Sequence, residues 1–390
     1  MNTTVAPLLF QPLTIRSLTL KNRVVISPMM QHAAPHSVAT AWHLVHLGKF
    51  ALGGAGLILV ESTAVARGGR IGKGDLGLWS DGQVGPLAAV VDFAHANGAA
   101  IGVQLGHAGR KAGGQPLWEG GGALSPDEMA LTDPLWRRSG PSAIAAGPDW
   151  SIPVAMDSAA IDAVVQDFVA AARRAELAGF DVVELHFAHG YLVASFLSPN
   201  ANHRDDGYGG NRANRMKLAL RIAAEVRKAW PASKPLFCRI SAVDGSADGW
   251  NLDDSIVLAR ELKAVGVDVV DCSSGGLTEQ LRALPVARSL GFQVLFSQRI
   301  RAEAGVLTQA VGLIVEPRQA EDILRAGQAD LIALGREALF DPYWALHARE
   351  TLMPDPSYRE WPLRHGVWLE KRLPGLRRAL AERDGAIPGG

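Results

Sequence analysis

The chain has 390 residues, with 39 basic and 39 acidic side chains and a formal net charge of zero. That balance offers no electrostatic footprint for nucleic acid or an anionic membrane, and no apolar run approaches the roughly 20 residues a membrane span needs. The length suits one barrel-sized domain or two smaller ones.

The opening MNTTVAPLLFQP has no basic stretch followed by an apolar core, so no secretory signal is expected. LLFQPLTIRSLTLKNR then alternates as a short hairpin does, placed to plug the bottom of a barrel. Beyond it a unit recurs: a helical pattern stops at glycine and an apolar run begins, as in ALGGAGLILVE, HANGAAIGVQL, ELAGFDVVEL, KAVGVDVVDC and RAGQADLIAL. Glycine suits the left-handed residue that ends a helix, and the Val/Ile/Leu run is a strand buried on both faces. Strands are expected at 24–29, 56–65, 99–107, 180–187, 235–242, 267–274, 306–312 and 329–335. Eight strands alternating with helices favour a single (β/α)8 TIM barrel of the α/β class over a doubly wound sheet. Ser158–Ala178 reads as one of the helices, with Ile161, Val164, Val165, Phe168, Ala172 and Ala175 on one face and Asp157 or Ser158 as its cap.

Residues 110–157 are rich in Gly, Pro and Trp, too long for an ordinary loop, and are expected to form a lid after the third strand. The barrel domain is taken as 1–352 and the remainder, 353–390, as a C-terminal arm. Cys238 and Cys272 lie in strand-like apolar runs, which fits reduced thiols in the cytoplasm.

Strand alternation selects the side chains that point into the barrel. His186 and Glu184 face inward, opposite Val183 and Leu185. Gln104 faces inward between outward Val103 and Leu105, and Arg239 shares the inner face with Phe237 and Ser241. Active sites of such barrels gather at the C-terminal strand ends, so His186, His189 and Tyr191 stand where chemistry is expected. Arg239 needs an anionic partner, either Glu184 or an anionic ligand. Gly72-Lys-Gly-Asp-Leu-Gly77 satisfies GxGxxG but opens no helix after a strand, so it reads as a loop and not as a dinucleotide turn. Gly312, Gly335 and Arg336 fall after the last two strands, where barrels hold phosphate. No acidic third ligand accompanies the His186/His189 spacing, and no metal is expected.

Taken together, LFQPLTI…LTLKNRVVISPM, GGAGLILVESTAV, LGLWSD, QLGHAGRK, GFDVVELHFAHGYL, FLSPNANHRDDGYGG, DVVDCSSGG and LIALGREALFDP resemble the old yellow enzyme family of FMN-dependent ene-reductases. The lid segment and HGVWLEKR are similar to the xenobiotic-reductase branch of its thermophilic-like class. The resemblance implies FMN as cofactor and NADH or NADPH as reductant, with a small-molecule substrate. It implies that Ser27, Pro28, Met29 and Met30 line the flavin, that Ser62 and Gln104 meet the ring edge, and that Arg239 lies near N1 and the C2 carbonyl. Gly312, Gly335 and Arg336 would hold the phosphate. His186 and His189 would bind a substrate carbonyl and Tyr191 would donate a proton. His32 would border the substrate, and Trp368, on the arm of a neighbouring subunit in a homodimer or homotetramer, would close the pocket. The family usually has Cys at Met30, Tyr at His32 and often Trp at Val311, all around the pocket. Reduction of activated C=C bonds in α,β-unsaturated carbonyl compounds is the leading reading. The alternatives are a diverged homologue that oxidises or dearomatises a dedicated metabolite, a metal-dependent barrel hydrolase, and a flavin-binding protein without turnover.

Overall fold

The structure, a computed structural model, describes residues 6–246, 248–277 and 288–384. β1 (Leu13–Ile15) and β2 (Leu18–Leu20) pair as an antiparallel hairpin with Leu13 opposite Leu20. β3 (Val24–Ile26), β4 (Leu57–Ala64) and β5 (Ala100–Gly106) begin the barrel. β6 (Ser139–Gly140) and β7 (Val154–Ala155) form a small ribbon in the lid. β8 (Val182–Phe187), β9 (Leu236–Ser241), β10 (Val269–Ser273), β11 (Leu307–Val311) and β12 (Leu331–Leu334) complete the barrel. The order β3-β4-β5-β8-β9-β10-β11-β12 closes on itself with parallel pairing. This is the expected (β/α)8 barrel.

Alternation sorts the strands as expected. Val103, Leu105, Val183 and Leu185 join the outer core against the helices. Leu57, Leu59, Val182, Phe237, Val269 and Leu331 fill the interior, and Ile15 and Leu20 of the hairpin pack onto them, which plugs the base. The helix Ser158–Leu177 presents Ile161, Val165, Phe168 and Ala172 inward, and the Asp157 side chain caps it by accepting from Ala160 N at 2.8 Å.

The first strand is shorter than the expected 24–29. Pro28 lacks an N–H and cannot continue a ladder. Ser27 N still donates to Leu334 O at 2.9 Å, and the chain then turns over the barrel mouth. The lid has a core of its own: Ala108, Ala112, Leu124, Met129 and Trp136 cluster with Ile71 and Tyr191. Arg138 ties it together by donating to Ala112 O at 2.8 Å and Leu124 O at 2.7 Å. The arm carries a helix over Leu363–Arg383 in which Gly366 is the buried residue, while Leu363, Val367 and Trp368 are exposed.

Candidate active site

A cavity of about 580 Å³ opens at the C-terminal end of the barrel, within the size range of small-molecule sites. Ser27, Pro28, Met29, Arg239, Val311, Gly312, Gly335 and Arg336 line it, with Arg288 and Gln293. These residues come from β3, β9, β11 and β12 or the turns after them, with Arg288 and Gln293 from the segment before the helix Val294–Ala304; the closed barrel brings them together. Gly335 faces open space: a Cβ there would meet nothing nearer than Met29 Sδ and Ser27 Cβ, each at 4.0 Å. Gly312 has φ 115°, a conformation that favours glycine. Ser27 Oγ and Arg239 Nε are buried without a hydrogen bond. A buried hydroxyl and a guanidinium nitrogen without a hydrogen bond suit a polar ligand, and the Arg336 guanidinium on the cavity wall is of the kind that pairs with phosphate. This donor set fits FMN, with ring and phosphate ends both provided for.

Beside the cavity three rings converge. His186 and His189 have centroids 5.1 Å apart, and Tyr191 lies 5.0 Å from His186 and 6.5 Å from His189. His186 is the penultimate residue of β8, and the turn that follows brings the other two back over it. His189 takes φ 60°, which its N–H donation to Ser241 Oγ at 2.9 Å helps to hold. A side chain at Gly190 would strike Gly276 O at 2.2 Å, so the turn requires glycine. His189 Nε2 lies 2.7 Å from Ser273 Oγ, and Ser273 lines the cavity.

Both imidazoles are neutral. Burial first, then the Arg239 and Lys111 cations, hold His186 down at about 3. Burial, Arg239, His186 and Lys111 keep His189 well below the ordinary value. His186 Nδ1 accepts from Ala188 N at 3.3 Å, which leaves the proton on Nε2. Lys111 donates to His189 O at 3.0 Å and Gly276 O at 2.8 Å, and stands 5.3 Å from the Tyr191 ring centroid.

Gln104 is buried inside the barrel as expected; Ser62 is buried too, and neither lines the cavity. The Gln104 amide donates to Glu184 Oε1 at 2.7 Å. A register shift between Val60 and Ser62 brings Ser62 level with Gln104. Of the two partners considered for Arg239, Glu184 or an anionic ligand, Glu184 does not form the ion pair: Arg239 Nε stands 3.4 Å from Asp271 Oδ2. β9 and β10 are adjacent and set Asp271 directly opposite Arg239. Asp271 was legible in principle, because DVVDCS puts Val269, Asp271 and Ser273 on one face.

Met30 adjoins the cavity wall in sequence but does not line the cavity. His32 Nδ1 stands 2.9 Å from Asp75 Oδ1, and Trp118 of the lid meets its ring edge-on at 5.7 Å. Burial lowers its pKa, but Asp75, with Glu61 behind, outweighs that and raises it above the ordinary value. The GxGxxG stretch is a loop that wraps this residue: a Cβ on Gly74 would lie 2.4 Å from His32 O, and one on Gly72 3.0 Å from His32 Cε1. Trp368 lies away from the cavity of its own chain, beside Tyr343, His347, Trp361 and His365. Among the described residues no His/Cys/Asp/Glu group could hold a metal ion, and neither cysteine forms a disulfide.

A barrel with a cavity at its C-terminal strand ends, lined by Arg239, Gly312, Gly335 and Arg336, suits a flavin-dependent oxidoreductase. The sequence model of the NADH:flavin oxidoreductase / NADH oxidase family matches residues 8–354, so the chain belongs to this family, that of old yellow enzyme, with FMN as cofactor and NAD(P)H as reductant. Among curated proteins it is 43% identical to an NADPH dehydrogenase of Listeria innocua and 42% identical to one of Bacillus subtilis. Each match covers 88% of this chain and 95% of the relative. Among solved structures it is similar to morphinone reductase, with a TM-score of 0.75 and 25% identity over 91% of this chain and 94% of that one.

Proposed function

We propose that the protein reduces C=C bonds conjugated to a carbonyl group, with NADPH as the electron source. NADPH is named in the relatives at 42–43% identity. The observation that carries the reaction is the convergence of His186, His189 and Tyr191 beside a cavity fitted for FMN. Bound FMN would relay a hydride from the nicotinamide to the substrate's β-carbon. Ser27, Pro28 and Met29 of the cavity wall would border the ring, and Arg239 would face its N1 edge. Gly312, Gly335 and Arg336 would hold the phosphate. His186 Nε2–H and His189 would donate to the carbonyl oxygen and draw electron density from the β-carbon, as neutral donors aimed at developing negative charge. Tyr191 O–H would supply the α-proton. The lid, whose cluster around Ala112, Leu124, Met129 and Trp136 packs with Tyr191, would keep water out.

The arm belongs to the same reading. Trp368 is 70% exposed and remote from its own cavity, so we assign it to the cavity of a second copy in a homodimer or homotetramer.

The half-reactions test the assignment. Tyr191→Phe should leave flavin reduction by NADPH near parental and slow reoxidation by 2-cyclohexenone by roughly 10²-fold or more, the usual scale for general acids. Equal slowing of both halves, or of neither, removes Tyr191 from the role.

A further inference from the structure

Beneath the cavity the barrel interior holds charge that the proposed reaction leaves unused. Glu184 on β8 and Asp271 on β10 are both 0% exposed. They flank β9, which carries Arg239, and inward side chains from alternate strands of such a barrel share a layer. Arg239 Nε lies 3.4 Å from Asp271 Oδ2, and Gln104 donates to Glu184 Oε1 at 2.7 Å. Glu184 Oε2 and both Asp271 carboxylate oxygens have no aligned hydrogen bond, nor does either amide atom of Gln309, which stands opposite Asp271 on β11.

The charges do not balance if every group is ionised. Two carboxylates and one guanidinium would leave one uncompensated negative charge in the dry interior, which is costly. Two carboxyls that share a site cannot both ionise easily. Burial first and Asp271 second push Glu184 up to about 8, with Arg239 and Gln104 opposing. Asp271 is raised as well, by burial against the pull of Arg239. The other titratable groups nearby do not compete near neutral pH. His186, opposite Arg239 on β8, is neutral, and the thiols of Cys238 and Cys272 are pushed well above their ordinary value.

We propose that Glu184 and Asp271 hold one proton between them and act through Arg239 to set the reduction potential of the bound flavin. This rests on the reading of Arg239 as the guanidinium that faces the flavin ring. With one proton on the pair, the layer is neutral: one guanidinium, one carboxylate, one carboxylic acid. Hydride delivery from the nicotinamide brings two electrons and one proton, and so adds one negative charge beside Arg239. That charge makes the pair's proton harder to lose. Where the oxidised holoenzyme has already lost it, reduction recovers one proton from solvent onto one carboxylate. The potential therefore falls more steeply with pH once the pair begins to deprotonate. Either single amide variant leaves one carboxylate facing Arg239 and nothing to titrate. The double variant leaves Arg239 uncompensated and favours reduced flavin.

The test is a spectroscopic redox titration of the FMN holoenzyme from about pH 6 to pH 10, spanning the pair's titration, together with its infrared carbonyl region. Parent, Glu184→Gln, Asp271→Asn, the double variant and Arg239→Lys are compared. The parent should show a protonated-carboxyl band at neutral pH and a break in potential above neutrality, where the pair deprotonates. Each single variant should match the parent potential at neutral pH and lack the break. The double variant should raise the reduced-to-oxidised ratio at fixed potential about tenfold or more, about 30 mV for two electrons. If the double variant fails to fold, the parent's band and the two isosteric singles still decide the matter. Absence of the band, or survival of the break in both singles while Arg239→Lys moves the potential, overturns the pair alone. An unchanged potential and flavin spectrum in Arg239→Lys overturns the assignment of Arg239 beneath it.

Discussion

Neutral histidines make a specific claim about ligand binding. A phenol such as p-hydroxybenzaldehyde presents one oxygen where the substrate carbonyl would lie, and binds better as the phenolate. In the proposed complex His186 and His189 would each offer that oxygen one N–H. A hydrogen bond to a charged acceptor contributes ~1.5–3 kcal/mol, so His186→Ala or His189→Ala should raise Kd roughly ten- to hundredfold. The pH profile carries the sharper test. With His186 held at about 3 and His189 well below its ordinary value, neither ring gains a proton between neutrality and mild acid. The affinity should therefore follow only the ionisation of the phenol and show no further break near the ordinary histidine pKa of about 6.5. The assay is a visible titration of the holoenzyme, which follows the long-wavelength band that phenolates give with flavin. A break near 6.5 in the parent that His186→Ala abolishes would refute the reasoning, because it would mean that the fold tolerates an imidazolium beside Arg239.

The same shifts bear on stability and on the cavity's other groups. A histidine with a depressed folded pKa stabilises the fold above about pH 6.5 and loses that contribution as pH falls, about 1.4 kcal/mol per pH unit. His186→Asn should therefore destabilise less than the parent between pH 7 and 5, by about 2 kcal/mol, measured by urea unfolding with FMN in excess. Arg336→Ala removes a charged phosphate contact and should weaken FMN retention by ~1.5–3 kcal/mol, read by flavin fluorescence on dialysis; FAD as the heat-released cofactor would contradict the site. Truncation after Pro362 should raise the enone KM with little loss of FMN, and full activity in a monomer by light scattering would rule out the arm's role. Met30→Cys with His32→Tyr should shift the flavin potential by tens of mV, where about 59 mV is tenfold for one electron, and raise turnover of simple enones. Asp75→Asn alone should lower the His32 pKa, followed by NMR.

The barrel was legible because its strands are buried on both faces and end each helix–glycine unit with the same signature. Alternation within VELHF, GVQLG and FCRIS was enough to orient His186, Gln104 and Arg239, since a closed barrel permits only two faces. The first strand was over-extended because its apolar run continues to Met30, while Pro28 ends the ladder. Pairing across strands was harder. Glu184 and Asp271 are equally plausible partners for Arg239 in sequence, and only the register of β9 against β10 selects Asp271. The role of Asp75 beside His32 was hidden for a different reason. The contact depends on the path of a glycine loop, where close approach and not periodicity sets position.

The account stands most directly on one anaerobic experiment with the purified yellow protein. One equivalent of NADPH should bleach the flavin, and one equivalent of 2-cyclohexenone, added without oxygen, should restore the colour with saturated ketone as product. A protein that NADPH bleaches but only oxygen recolours would contradict the proposed alkene reduction.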